Sequence, residues 1–376
     1  MLSTVYPGRV AEGAGRRRGR RVRHGLSTLV GAALLAAPTW TVLSTGDAVR
    51  HQHVSLTVLL GVSALAGVVL LAATVLGVRT DRAGRVHELV VDPHPDDATT
   101  RVLADDDPAA PVLPPAAATA PPATALVVAS PGRARRVLGV VGTGAGLALL
   151  AVLAGAAAWL RPFPATQDAL DALTGDDAVE VQETGGWYAF VPRGVEPAGG
   201  LVYSPGARVD VRATAAVLRP LAEAGYVVVA LKEPLGIALT SPDQSASAIA
   251  AFDDVPSWTV GGHSLGGVAA SSFAAAHDDQ VDGLLLHASY PLGDMSDADL
   301  RVTSVSGSRD GLSTPAKIAA SRADLPASTT FVEVEGAVHA FFADYGPQPG
   351  DGEPTVSRAA ARAEIVAASR AALTGP

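Results

Sequence analysis

The sequence predicts a membrane-anchored α/β protein, in which three long apolar helices precede a mostly parallel sheet of about eight strands with helices on both faces. Three observations carry this. Residues 26–45, 54–78 and 137–160 are apolar runs without a charged residue. From residue 179 onward, short β-rich runs alternate with helix-length stretches. The chain is 48% hydrophobic but only 17% charged and 5% aromatic, so part of its apolar content serves lipid rather than a core. At 376 residues it has room for two or three units.

Each of the three runs is long enough for a helix to cross the roughly 30 Å hydrocarbon layer, where only a helix satisfies its own backbone. The first is the weakest, since Pro38 interrupts it and its end is polar. Arg16, Arg17, Arg18, Arg20, Arg21 and Arg23 lie in residues 1–25, which the positive-inside rule places in the cytoplasm. Arg79, Arg82 and Arg85 after the second span and Arg133, Arg135 and Arg136 before the third agree with that topology. The third span then delivers residue 161 onward to the outer face of a cell membrane. A cleaved signal peptide is the competing reading of the first run, but no small-x-small site closes it before Trp40.

Residues 79–136 are rich in Ala, Pro and Asp and are expected to form a disordered cytoplasmic loop, because they bury too little to offset chain entropy. The loop holds Pro93-His94-Pro95-Asp96-Asp97, which looks like the metal-binding signature of zinc-dependent sugar deacetylases. The run before it is too short for a buried strand and no later His pair follows, so no metal site is expected. Residues 161–178 read as a linker.

In residues 179–376, β-rich runs fall at 179–184, 187–191, 200–203, 226–231, 258–261, 281–287, 302–306 and 330–334. Gly185-Gly186 between the first two signals an antiparallel hairpin. Helical stretches at 211–224, 265–277, 314–323 and 355–373 separate most of the others, the pattern of parallel strands joined by right-handed crossovers. Ligands of such sheets bind beyond the carboxyl ends of the strands. Residues 1–160 carry 15 basic and 10 acidic residues, a balance of +5, and residues 161–376 carry 13 and 27, a balance of −14, which argues against nucleic-acid binding. The 26 Arg against 2 Lys read as GC-rich bacterial coding. With no Cys, disulfides, thiolate metal sites and a Cys nucleophile are excluded.

Gly262-His263-Ser264-Leu265-Gly266-Gly267 contains Gly-x-Ser-x-Gly where a strand passes directly into a helix. The turn forces a strained backbone on Ser264, and Gly262 and Gly266 remove side chains that would collide around it. A serine hydroxyl needs a base and an orienting acid. Asp310 and His339 follow the strands at 302–306 and 330–334 and supply both. A developing oxyanion needs two N–H donors. Leu265 supplies one, and Gly206 or Ala207, in the turn Ser204-Pro205-Gly206-Ala207, the other.

With these motifs, together with Gly307-Ser308-Arg309-Asp310-Gly311 and Gly336-Ala337-Val338-His339, residues 179–376 resemble the α/β-hydrolase superfamily. The likeness is to its small branch of dienelactone-hydrolase-like carboxylesterases. The resemblance implies an α/β-hydrolase fold, with Ser264 as nucleophile, His339 as general base and then acid, and Asp310 as orienting acid. It implies no metal and no cofactor. Ser264 stands where the dienelactone enzymes carry cysteine, so their lactone substrate does not transfer.

His263, inside the elbow, and His277, at a helix end, read as structural. His287 at a strand end is a candidate pocket residue, and Lys232, followed by Glu233, either binds an acidic substrate or forms a local ion pair. Only residues 288–301 separate two strands there, too few for a cap domain, so an open pocket for small or lipid-like esters is expected. The sequence thus predicts a membrane-anchored serine carboxylesterase. An acyltransferase, a peptidase or a silent membrane-tethered binding protein remain alternatives, and the oligomeric state is open.

Overall fold

The computed structural model describes residues 8–88 and 133–374, with side chains over 19–77 and 138–374. Most of the expected cytoplasmic loop, including the motif at 93–97, lies outside the described residues. Helices α1 (Gly8–His51), α2 (Val54–Glu88) and α3 (Arg133–Trp159) contain Gly19–His51, Val54–Gly77 and Leu138–Trp159, each long and apolar enough to cross a membrane. Helix α2 continues to Glu88, and α3 starts at Arg133, so both ends of the segment read as a loop at 79–136 are helical. The Arg, Ala and Glu residues there are good helix formers that extend a helix beyond its apolar part. Helix α1 contains Pro38 and is broken at Thr45 (φ −144°, ψ 28°), where the Thr45 hydroxyl donates to Thr41 O. The chain divides into two compact units, residues 1–31 with 68–150 and residues 32–67 with 151–376.

The second unit contains one eight-stranded sheet in the order β1-β2-β4-β3-β5-β6-β7-β8. Its strands are β1 (Val179–Glu183), β2 (Trp187–Pro192), β3 (Gly199–Ser204), β4 (Tyr226–Leu231), β5 (Trp258–His263), β6 (Gly283–His287), β7 (Arg301–Gly307) and β8 (Thr330–Val334). β1 and β2 form the expected antiparallel hairpin, and β2 is also antiparallel to β4, so β2 alone runs against the other strands. The remaining pairs are parallel. The helices are α4 (Gln167–Asp171), α5 (Ala215–Glu223), α6 (Gln244–Ile249), α7 (Leu265–Ala276), α8 (Pro315–Ala320) and α9 (Arg358–Thr374). This is the α/β-hydrolase fold.

Strand β4 shows how the sheet is held. Its alternate side chains Tyr226, Val228 and Ala230 join a core with Leu218 and Leu221 of α5 and Ile365 of α9. Val227, Val229 and Leu231 join Ala270 and Phe273 of α7 on the opposite face. A strand buried on both faces loses the polar alternation of a half-exposed one and reads as the continuous run YVVVAL.

Residues 161–178 are not a free linker. Phe163 N–H donates to Arg208 O (2.7 Å) and Asp210 N–H to Phe163 O (2.9 Å), Ala165 bridges to Tyr345, and α4 follows with a Thr166 N-cap. Pro162 and Pro164 favour the extended backbone that makes this pairing possible. The segment is hydrogen-bonded to the loops that follow β3 and β8.

Candidate active site

Strands β4 and β5 lie on opposite sides of β3, so the connections leave β3 and β5 in opposite directions and open a crevice at their carboxyl ends. Ser204, the last residue of β3, is in register with Gly262 of β5, which sets the two outgoing turns side by side. Ser264 stands between β5 and α7 with φ 53° and ψ −123°, a conformation that costs of order 1–3 kcal/mol in a non-glycine residue. Its backbone is pinned. Ser264 N–H donates to His287 O (3.0 Å), and Ser264 O accepts from the Ser289 hydroxyl (2.7 Å) and Gly267 N–H (3.0 Å). A Cβ on Gly262 would collide with the Gly266 backbone, and one on Gly266 with the carbonyls of Ser204 and Pro205. Gly267 lies as closely against Ser289. The glycines thus let strand, helix and the turn after β3 close on one another.

The loops after β7 and β8 bring Asp310 and His339 together. Asp310 Oδ2 lies 2.8 Å from His339 Nδ1, with both side chains buried. Asp310 Oδ1 accepts from Leu312 N–H and Ser313 N–H, each at 2.7 Å. Because a carboxylate only accepts, Nδ1 carries the proton and Nε2 keeps its lone pair. Nε2 is buried and has no hydrogen-bond partner among the described residues. The Ser264 hydroxyl makes none there either, so the serine–histidine bond is not closed; such bonds are often long in free enzymes. The ring of His263, adjacent to Ser264 in sequence, lies 4.5 Å from the His339 ring.

His263 is itself fully buried and stacks on Phe342 at 6.4 Å. Burial, followed by the proximity of His339 and His287, holds its pKa well below the usual imidazole value, so it is neutral. Its Nδ1 lies 2.7 Å from where a Cβ on Gly206 would sit, which fixes the approach of the Gly206 turn. The backbone N–H groups of Leu265, Gly206 and Ala207 donate to no group among the described residues, leaving them available to an oxyanion.

Two expected substrate contacts are not brought to this crevice. His287 is buried inside the core, where Nδ1 accepts from the Tyr203 hydroxyl and Nε2 donates to Ser369 Oγ, both at 2.9 Å. Burial lowers its pKa to about 3. It is a neutral tie between β3, β6 and α9. Lys232 is also buried, with Nζ 2.6 Å from Glu183 and over the ring of Tyr188, so its partner is Glu183 and not the adjacent Glu233. Glu233 points elsewhere and accepts from the hydroxyls of Ser204 (2.9 Å) and Ser241 (3.0 Å). Burial raises its pKa to about 7. His277, read as structural, stacks on Phe273 at 4.2 Å.

Sequence reading missed the residues that brace these loops. Asp351 accepts from the backbone N–H groups of His339 (3.0 Å), Ala340 (2.9 Å) and Gly311 (3.3 Å), joining the Asp310 and His339 loops. Its flanking Gly350 and Gly352 mark only a turn. Gln52, between α1 and α2, donates from Nε2 to Val209 O (2.9 Å), and Ser55 Oγ accepts from Leu235 N–H (2.7 Å). Val49, Leu56, Leu60, Ala157 and Leu160 form an apolar cluster against which Leu235 and Ile237 pack. The α1–α2 turn and the end of α3 therefore rest on the loops that follow β3 and β4. Nothing in the local pattern of 49–60 announces contacts so distant in sequence.

No curated protein matches the chain. Residues 200–363, from β3 into α9 and including Ser264, Asp310 and His339, match the model of the alpha/beta hydrolase family, so this part of the chain is similar to that family.

Proposed function

We propose that the protein is a membrane-anchored serine hydrolase acting on carboxylic esters, of the small cap-poor kind similar to dienelactone-hydrolase-like carboxylesterases. The observations that carry this are the strained Ser264 at the strand–helix turn and a buried Asp310–His339 pair whose Nε2 has no partner among the described residues. Ser264 Oγ attacks the ester carbonyl while His339 Nε2 takes its proton. The Leu265 N–H with that of Gly206 or Ala207 holds the oxyanion, and Asp310 stabilises the imidazolium. His339 returns the proton to the leaving alcohol, and water, activated by the same imidazole, releases the acid. This chemistry draws on no metal or cofactor. No helix separates β6 from β7, in keeping with an uncapped crevice for small or lipid-like esters. The arginine distribution around the apolar helices favours a cell membrane with the domain on its outer face, and the excess of Arg over Lys favours a bacterial source.

The experiment is fluorophosphonate labelling of intact cells with a membrane-impermeant probe, comparing the wild type with Ser264→Ala. Labelling of the wild type alone supports both the chemistry and the outer placement. Labelling only after lysis overturns the placement, and equal signals from both proteins overturn Ser264 as nucleophile.

A further inference from the structure

Two cations beside the Gly206–Ala207 turn have no acid to neutralise them among the described residues. Arg208 directly follows Ala207 and has φ 63°, a left-handed conformation that is strained outside glycine. Its guanidinium lies between the rings of Trp159 (4.8 Å) and Phe163 (4.7 Å). Arg161, just beyond the end of α3, lies over Trp40 at 4.8 Å. Arg208 Nε donates to Arg161 O (3.4 Å), so the two residues are neighbours. Among the described residues neither makes an ion pair with a carboxylate, and neither hydrogen-bonds through its terminal nitrogens. Nearby Arg212 shows the contrast, since it is paired with both Asp210 and Asp47.

The aromatic rings cover the faces of the guanidinium groups and leave their terminal N–H donors without a partner among the described residues, the geometry that receives phosphate oxygens. Two close like charges are also mutually unfavourable. Burial and then the Arg161 charge set the Arg208 pKa below its usual value, and an anion would relieve both. Trp40 and Trp159 belong to the apolar spans and remain 51% and 57% exposed, as in the aromatic belt of a membrane interface. An anion that reaches both arginines at this level is the headgroup of a lipid.

We propose that Arg161 and Arg208 seat the phosphate of an anionic glycerophospholipid whose acyl ester is delivered to Ser264. The substrate assignment rests on the ester-hydrolase reading above; the headgroup seat does not. In the reaction the Ser264 Oγ–acyl carbon bond forms, the glycerol C–O ester bond breaks and the lysophospholipid leaves with the proton from His339. Water then cleaves the acyl-enzyme to fatty acid and free serine.

The test is native mass spectrometry of the full chain in detergent, carrying Ser264→Ala to prevent turnover. It is titrated with phosphatidylglycerol, phosphatidylcholine of the same chains, and inorganic phosphate. Phosphatidylglycerol is expected to bind about tenfold more tightly than phosphatidylcholine, the effect of one good charge-assisted contact. Arg161→Gln and Arg208→Gln should each reduce that ratio toward one, and Arg161→Lys should restore most of it. Comparing variants with the parent cancels any contribution of the basic amino terminus. Should Arg208→Gln fail to fold, Arg161→Gln and Arg161→Lys carry the test. Equal binding of the two lipids, an unchanged ratio in the arginine variants, or inorganic phosphate displacing the lipid at equal concentration would overturn the seat. If fluorophosphonate leaves wild-type Ser264 unmodified while the lipid preference holds, the hydrolase reading falls and the seat stands.

Discussion

Asp310 Oδ2 and His339 Nδ1 lie 2.8 Å apart in a buried setting, and the other carboxylate oxygen is occupied by the N–H groups of Leu312 and Ser313. The carboxylate is thus fixed before any substrate arrives, and with it the imidazole tautomer.

Asp310→Asn retains one oxygen acceptor but loses the charge that stabilises an imidazolium. Turnover of a soluble p-nitrophenyl ester should fall by about 10²–10⁴, with KM little changed. A loss under threefold would show that Asp310 is not part of the chemistry.

Gly266→Ala places a methyl group into the carbonyls of Ser204 and Pro205, backbone atoms at the end of β3 that cannot rotate away. Destabilisation of more than about 3 kcal/mol is expected, in the range of severe core overpacking. Thermal unfolding reads it, and an unchanged midpoint would mean that the two turns are not in contact.

Asp351 touches backbone and not the imidazole, so it acts as a positioning residue. Asp351→Ala should lower kcat by about tenfold or more with little change in KM, and Asp351→Asn, which keeps an acceptor oxygen, should recover part of the loss. Equal activities in the two variants would remove its positioning role.

Gln52→Leu strands the Val209 carbonyl next to the turn that carries the proposed oxyanion donors. A buried unpaired carbonyl costs about 1–3 kcal/mol, so the unfolding temperature should drop, and kcat with it. Wild-type values for both would show that the α1–α2 turn does not support the site.

Glu233 has its folded pKa raised to about 7 by burial, against an ordinary value of 4.5. Between these values the folded protein holds more protons than the unfolded chain, so stability falls as pH rises through this window. The loss is on the order of 3 kcal/mol. His287, lowered to about 3 by burial, acts in the opposite sense: its contribution is complete above about pH 6.5, the ordinary imidazole value, and is lost as pH falls. Between pH 4.5 and 6.5 the two contributions oppose each other, so Glu233→Gln should leave the His287 rise uncancelled there and remove the decline from pH 6.5 to 7. Denaturant midpoints at pH 5, 6 and 8 measure it; parallel curves for the variant and the wild type would contradict the buried-acid assignment.

The local sequence carried the elbow at Ser264, because a serine between glycines at a strand–helix junction has few backbone solutions. It also carried the strands, because a fully buried strand such as 226–231 must be apolar on both faces. Asp310 and His339 were legible as residues at successive strand ends, but their 2.8 Å meeting depends on β7 and β8 being neighbours in the sheet. The place of His287 and the partner of Lys232, Glu183 and not Glu233, were not legible for the same reason. Local sequence places a polar side chain at the end of a strand without showing its surroundings, and here those are Tyr203 and Ser369 for one and Glu183 for the other.

What the sequence determined by itself was each element and the chemistry-bearing residues at its ends, since hydrophobic period, glycine spacing and uncharged length act over a few turns of chain. Tertiary structure alone decided which of those residues meet, that Asp351 clamps two loops, and that Gln52 reaches Val209 across the fold. Those contacts join segments far apart along the chain, and packing rather than local propensity selects them.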